Sequence, residues 1–157
     1  MKTRFIVTAA LAMLLSGGLA LQVVAQDPAE TLKKRQDFMK EYGGYMKGIN
    51  EFVEKGMGTA DDVKNKAGEI KEDSEKIVAL FPKGTGMDDG VGKTGAKKEI
   101  WEKPDDFKAK AENLAMLAGK LEEAAAGGDK QQIADAFGAL GKDGCGGCHQ
   151  TFRQKLD

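Results

Sequence analysis

The chain of 157 residues carries 24 basic and 25 acidic side chains and one histidine, a formal net charge of −1. That balance leaves no basic stripe for nucleic acid, and the interleaving of Lys with Glu marks solvated helix faces. Both cysteines belong to one motif near the carboxyl end, so neither remains for a structural disulfide.

In chain order, Met1-Lys2-Thr3-Arg4 is a basic start, Phe5 to Leu15 an apolar run, and Val23-Val24-Ala25 a small-residue end. The pattern predicts a secretory signal peptide over residues 1–25, cut between Ala25 and Gln26. An uncleaved anchor is the other reading, but the apolar run is short for a membrane span of about 20 residues. No membrane attachment is therefore expected after cleavage. Residues 26–157 form one domain, large enough to bury roughly two-thirds of its unfolded surface.

Four amphipathic helices are predicted in that domain. Asp27 caps the first, Pro28 takes its first position and Glu30 follows. It runs to about Lys55, with Leu32, Met39, Met46 and Val53 recurring every seven residues. Tyr42 and Ile49 form the second half of this bundle seam, flanked by Phe38, Tyr45 and Phe52. Thr59 caps the second helix, Ala60 to about Leu80, built on Val63, Ile70 and Ile77 and stopped by Phe81-Pro82.

The glycine-rich stretch from Lys83 to Lys98 cannot be a regular helix and reads as a long crossover, with a short turn near Ala96 to Trp101. Loops this long are often functional; a plain surface linker is the other reading. The third helix opens at Lys103-Pro104-Asp105-Asp106 and ends near Ala126, with Phe107, Leu114 and Leu121 at heptad spacing. After Gly127-Gly128, the run Asp129-Lys130-Gln131-Gln132 is a capping box for the fourth, whose apolar face is Ile133, Phe137 and Leu140. Gly141 and Gly144 are expected to kink it. No strand-like alternation occurs, so the fold class is all-α.

The fourth helix leads into Cys145-Gly146-Gly147-Cys148-His149, a c-type haem attachment motif. On a helix these three residues fall at i, i+3 and i+4 and point one way. Two thiols reach two vinyl groups of one porphyrin, and the imidazole bonds the iron. Phe152 continues the face and packs on the macrocycle. A zinc site would need a fourth ligand, and the chain has no further Cys or His. A thioredoxin-like dithiol would follow a strand, and none is predicted. Covalent haem attachment takes place outside the bacterial cytoplasmic membrane, so motif and signal together place the protein in the periplasm.

The domain resembles the class II c-type cytochromes, the cytochrome c′ group. The haem motif lies toward the carboxyl end, as in that class. Arg35-Gln36-Asp37-Phe38-Met39 resembles the family's first-helix run, and Phe81-Pro82-Lys83-Gly84-Thr85 with Ile100-Trp101 resembles its crossover. The resemblance implies an antiparallel four-helix bundle around one covalently attached haem c. It implies that Cys145 and Cys148 hold the haem, that His149 is the axial iron ligand, and that Arg35, Gln36, Thr94 and Trp101 contact the haem or its propionates. At Gly95 the chain departs from the Glu expected beside Thr94.

Arg35 also stands out without the family, because it shares the seam position of Tyr42 and Ile49. A charge on a buried stripe wants a partner, which a propionate would supply; an Arg snorkelling at the bundle end is the bland alternative. Trp101 reads equally well as a core anchor. Arg153, one turn after His149, either polarises it or is a solvated cation at the helix end.

One histidine excludes bis-histidine ligation within the subunit, so the sixth iron position holds a Met, an external ligand or nothing. Met39 lies one turn beyond Arg35. In the resembling family this position carries either a Met ligand in low-spin electron carriers or an apolar lid over five-coordinate iron that binds nitric oxide or carbon monoxide. The Arg-Gln pair and the crossover favour the five-coordinate form. The expected protein transfers single electrons with redox partner proteins or binds NO and CO. It is not expected to be an enzyme, slow NO turnover aside: a peroxidase usually wants a distal His or Arg poised over the iron, and the only His is already the proximal ligand. A haem-free dithiol adaptor is the remaining alternative. The extra aromatic width of the first helix, with the family, implies a homodimer.

Overall fold

A computed structural model of the chain describes residues 27–156. The signal peptide expected over residues 1–25 lies outside that range. Helix α1 spans Pro28–Lys55. Asp27 accepts a hydrogen bond from the Ala29 N–H at 2.9 Å, and Pro28 places its missing donor where a helix has no acceptor to offer. Gly56, at φ 66°, ends the helix in the left-handed conformation that glycine alone adopts without cost. Its deepest line is Arg35, Tyr42 and Ile49, while Met39, Met46 and Val53 are half-buried. The two halves of the predicted seam thus exchange rank, and the two methionines turn to a cavity.

Helix α2 spans Ala60–Ser74 and opens with a reciprocal capping box between Thr59 and Asp62. The expected continuation to Leu80 does not hold as α-helix. The Ile70 carbonyl accepts from both the Ser74 hydroxyl and the Tyr42 phenol. Beyond it the chain tightens to i→i+3 bonds, Lys76 N–H to Asp73 O and Ile77 N–H to Ser74 O, and ends in a 3₁₀ turn over Val78–Leu80. The crossover follows, then α3, Glu99–Glu102.

Helix α4, Pro104–Gly127, buries Phe107, Ala111, Leu114, Leu117, Ala118, Leu121 and Ala125. It packs most extensively on α2. Ala67 and Ala118 are both fully buried, so small side chains let these two helices approach closely. Helix α5 spans Lys130–Ala139, with Asp129 accepting from the Gln132 N–H at 2.9 Å.

The kink expected at Gly141 and Gly144 takes a specific form: a π-helical segment over Leu140–Gly146, followed by α6, Gly147–Phe152. Four glycines among residues 141–147 make the wider turn cheap. Asn113 of α4 donates to the Asp143 carbonyl at 3.1 Å and occupies an acceptor there. A Cβ at Gly144 would come within 3.0 Å of Leu114 Cδ1, so this glycine also lets the segment lie close on α4. Short loops at 56–59 and 128–129 reverse the chain, giving a four-helix bundle of α1, α2, α4 and the α5–α6 unit. Among the described residues there is no strand, only an isolated bridge between Ala96 and Arg153.

Candidate haem site

Between α1, α4, α6 and the crossover lies a cavity of about 540 Å³, within the roughly 300–1,000 Å³ usual for ligand pockets. Cys145, Cys148 and His149 all line it. Cys145 belongs to the π-helical segment and the other two to α6, so they do not share one regular α-helical turn, yet all three line one cavity. Both thiols are free. Burial raises the pKa of each; Cys148 is pushed up to about 11, with Lys110 opposing the rise. A redox dithiol needs the reverse, a lowered thiol pKa. His149 is exposed and lines the cavity. Desolvation, then the charge of Arg153, lower its pKa, which favours the neutral imidazole that a metal ligand needs. Arg153 itself is exposed at the cavity edge.

Phe152 is buried and stands edge-on to Phe107 at 5.1 Å, and Phe107 edge-on to Phe81 at 5.0 Å. This aromatic column forms one wall. Over the Phe81 ring, at 4.4 Å, lies the Arg35 guanidinium. Arg35 is only 3 % exposed and donates to Thr85 Oγ1 at 3.0 Å, Thr85 O at 2.7 Å and Thr94 Oγ1 at 3.1 Å. None of these partners carries charge, and desolvation lowers its pKa. A cation buried at a cavity wall beside neutral acceptors suits the carboxylates of a porphyrin. Gln36 lines the same edge and donates to Lys93 O at 2.9 Å.

Met39 is half-buried on the α1 wall. Trp101 is different: it is not part of the cavity wall. Its Nε1 donates to Phe81 O at 2.9 Å, and its ring lies against Gly86, where a Cβ would come within 2.7 Å. Trp101 thus anchors the crossover from outside the residues that line the cavity. Met46 and Lys110 are among the lining residues that the sequence did not mark as site candidates. Met46 shares the heptad position of Met39, a signal that was available. Lys110, whose charge acts on Cys148, sits on a helix flank with no motif around it.

The departure at Gly95 has a steric reason. A Cβ there would lie 2.1 Å from the Gln154 carbonyl oxygen, so no Glu fits while the segment after α6 stays where it is.

Paired thiols, one imidazole and a buried cation around an apolar cavity in a helical bundle define a protein that holds a covalent haem. The family description Cytochrome C' matches residues 30–153. Cytochrome c' of Pararhodospirillum photometricum is 36 % identical over 127 residues, covering 81 % of this chain and 98 % of the relative. Cytochrome c-556 of Agrobacterium tumefaciens (strain B2A) is 38 % identical over 131 residues, covering 81 % and 99 %. Among solved structures, a nitric oxide complex of a variant cytochrome c prime from Alcaligenes xylosoxidans superimposes with a TM-score of 0.70, at 27 % identity over 83 % of this chain and 98 % of that one. The chain belongs to the cytochrome c′ family, whose members bind one covalently attached haem c. The donor set described above fits that group, and the haem-free alternative falls.

Proposed function

We propose that this chain is a periplasmic haem protein that binds nitric oxide or carbon monoxide at a five-coordinate iron and passes single electrons. In this reading Cys145 and Cys148 form the two thioethers and His149 is the axial ligand. Arg35, with Gln36 and Thr94, holds the propionate edge. When bound, the haem supplies a one-electron iron couple and an axial position for a diatomic gas.

The observation that carries the reading is the α1 wall. Gly43, one turn beyond Met39, lines the cavity, and a Cβ built there would meet nothing within 4 Å. Gly43 is exposed, so the wall is open there to an entering small molecule. Tyr42 commits its hydroxyl to Ile70 O at 3.1 Å, so it does not point a donor at a bound gas. Around Met39 and Tyr42 this wall offers a thioether and a ring but no free hydroxyl, which favours neutral diatomics over hydrogen-bonded oxygen or peroxide and supports a carrier or gas binder rather than a catalyst. The nitric oxide complex of the Alcaligenes protein supports the same class of ligand. A second reading has its own support: Met39 lines the wall, so a thioether is at hand to bind iron in a low-spin electron carrier. Homodimerisation is supported by Phe38 and Tyr45, half-buried on α1 beside the main seam.

The test is the spectrum of the purified protein. A high-spin ferrous form that binds carbon monoxide immediately is expected. A low-spin ferric form with a methionine-to-iron charge-transfer band would replace it with the second reading, and a pyridine haemochrome without a c-type band would refute both.

A further inference from the structure

The residues after α6 turn back along the crossover. Arg153 leaves the helix with extended backbone, φ −123° and ψ 133°, and bridges Ala96 in antiparallel sense. The Gln154 N–H donates to Gly95 O at 2.8 Å, and the Lys97 N–H donates to Phe152 O at 3.1 Å. Lys97 Nζ adds a bond to Thr151 O at 3.0 Å. Residue 95 must be glycine for this pairing, and for space rather than conformation, because the atom a Cβ would strike is backbone.

The tie continues across the cavity. Thr94 Oγ1 accepts from the Ala96 N–H at 3.2 Å and from Arg35 at 3.1 Å. Arg35 on the α1 wall and His149 on α6 are thus joined through residues 94–97 and 152–154. Helix α6 needs such a tie. It has six residues and begins where the π-helical segment ends, so its own backbone bonds orient it weakly.

We propose that residues 152–154 and 95–97 form a latch that fixes α6, and with it the His149 imidazole, against the α1 wall. Gly95 and Thr94 are its positioning residues. Gly95 admits the returning chain, and Thr94 carries the tie to Arg35. The latch itself rests on backbone geometry; its effect on iron rests on the reading of His149 as ligand, and the experiment separates the two.

The experiment compares the haem-loaded protein with its Gly95→Ala variant by NMR. Hydrogen exchange at the Gln154 and Lys97 amides reads the latch, and the hyperfine-shifted imidazole resonances of the ferric protein read the orientation of His149. The expected result is loss of protection at both amides together with a shift of the imidazole resonances. Thr94→Val, which keeps shape but removes the acceptor, is expected to shift those resonances while leaving the two amides partly protected. A chain ending at Arg153 removes the Gln154 bond without forcing a side chain into the pairing; should Gly95→Ala not fold, it is read at the Lys97 amide alone, where protection is expected to fall together with a shift of the imidazole resonances. Retained protection in Gly95→Ala overturns the latch. Lost protection with unmoved imidazole resonances, in Gly95→Ala and in the shortened chain alike, overturns its positioning role. Unmodified protein with protected amides but no hyperfine-shifted imidazole overturns the assignment of His149 while leaving the latch in place.

Discussion

Replacing Arg35 with Lys separates the two tasks the structure assigns to this side chain. Lysine keeps the charge but loses the planar fork, and its single nitrogen cannot take the places of the two guanidinium nitrogens that donate to Thr85 and Thr94. Thr85 is 1 % exposed, so its carbonyl would be left without its donor in a dry site. A lost charge-assisted bond costs about 1.5–3 kcal/mol, and an unpaired buried acceptor about 1–3 kcal/mol. Partial relaxation of the crossover brings the expected loss to about 2–4 kcal/mol. With a urea slope of roughly 2 kcal/mol/M for a domain of this size, the midpoint falls by about 1–2 M. The assay is urea unfolding of the haem-loaded protein, paired with its reduction potential. Arg35→Lys should leave the potential near its starting value, because the positive charge stays. Arg35→Leu should lower it, because a buried cation beside the cavity favours the less positive, reduced iron; its stability loss should be no larger than that of Lys, since the desolvation cost of the charge is removed as well. An unchanged midpoint in Arg35→Lys would refute the tie to the crossover. A potential that falls equally in both variants would refute the electrostatic part.

Thr59→Ala removes half of the capping box of α2 and should cost about 1 kcal/mol in thermal unfolding, with the haem spectrum unchanged. Asp62 shows a pH signature: its hydrogen bonds to Thr59 hold its pKa below the ordinary 3.8. Its contribution is therefore fully present above that ordinary value and lost as pH falls through the depressed one. The stability difference between the protein and Asp62→Asn should be flat at neutral pH and shrink only in acid; a difference that persists below the depressed pKa would contradict it. Met39→Leu is nearly volume-conserving and should cost under about 1.5 kcal/mol. With five-coordinate iron its ferric spin state stays as it was, whereas a change from low to high spin would identify Met39 as the sixth ligand.

The bounds of α1 were readable because local signals agree there: Asp27, Pro28 and Glu30 at one end, Gly56 at the other, and a seven-residue repeat between them. The end of α2 was not, because the event that closes it is tertiary: the Tyr42 hydroxyl arrives from α1 and shares the Ile70 carbonyl with Ser74. The same division runs through the site. Cys145, Cys148 and His149 are adjacent in sequence and announce themselves, and their gathering at one cavity follows from a motif whose chemistry requires it. The π-helical turn beneath Cys145 was seen only as a kink, since four nearby glycines permit a wide turn without saying which hydrogen bonds it makes. Trp101 and Phe81 belong to a single crossover pattern, yet only Phe81 reaches the cavity. Sequence spacing carries no record of which side of an irregular loop faces inward.

Gly95 shows how a departure from an expected pattern becomes structural information. Read alone, the missing Glu weakened the case for a contact at Thr94. In three dimensions Thr94 is buried, lines the cavity and accepts from Arg35, so the position keeps a place at the wall while its neighbour has changed task. The freed space admits residues 153 and 154, which tie the motif-bearing helix back to the loop. A small domain without a structural disulfide needs some other constraint on its carboxyl-terminal turn. Here two sources of constraint meet at α6. One is the covalent haem of the family, to which the cavity would offer side chains such as Ile77, Phe107 and Leu114 that already belong to the core cluster. The other is a backbone ladder that one methyl group at residue 95 would break.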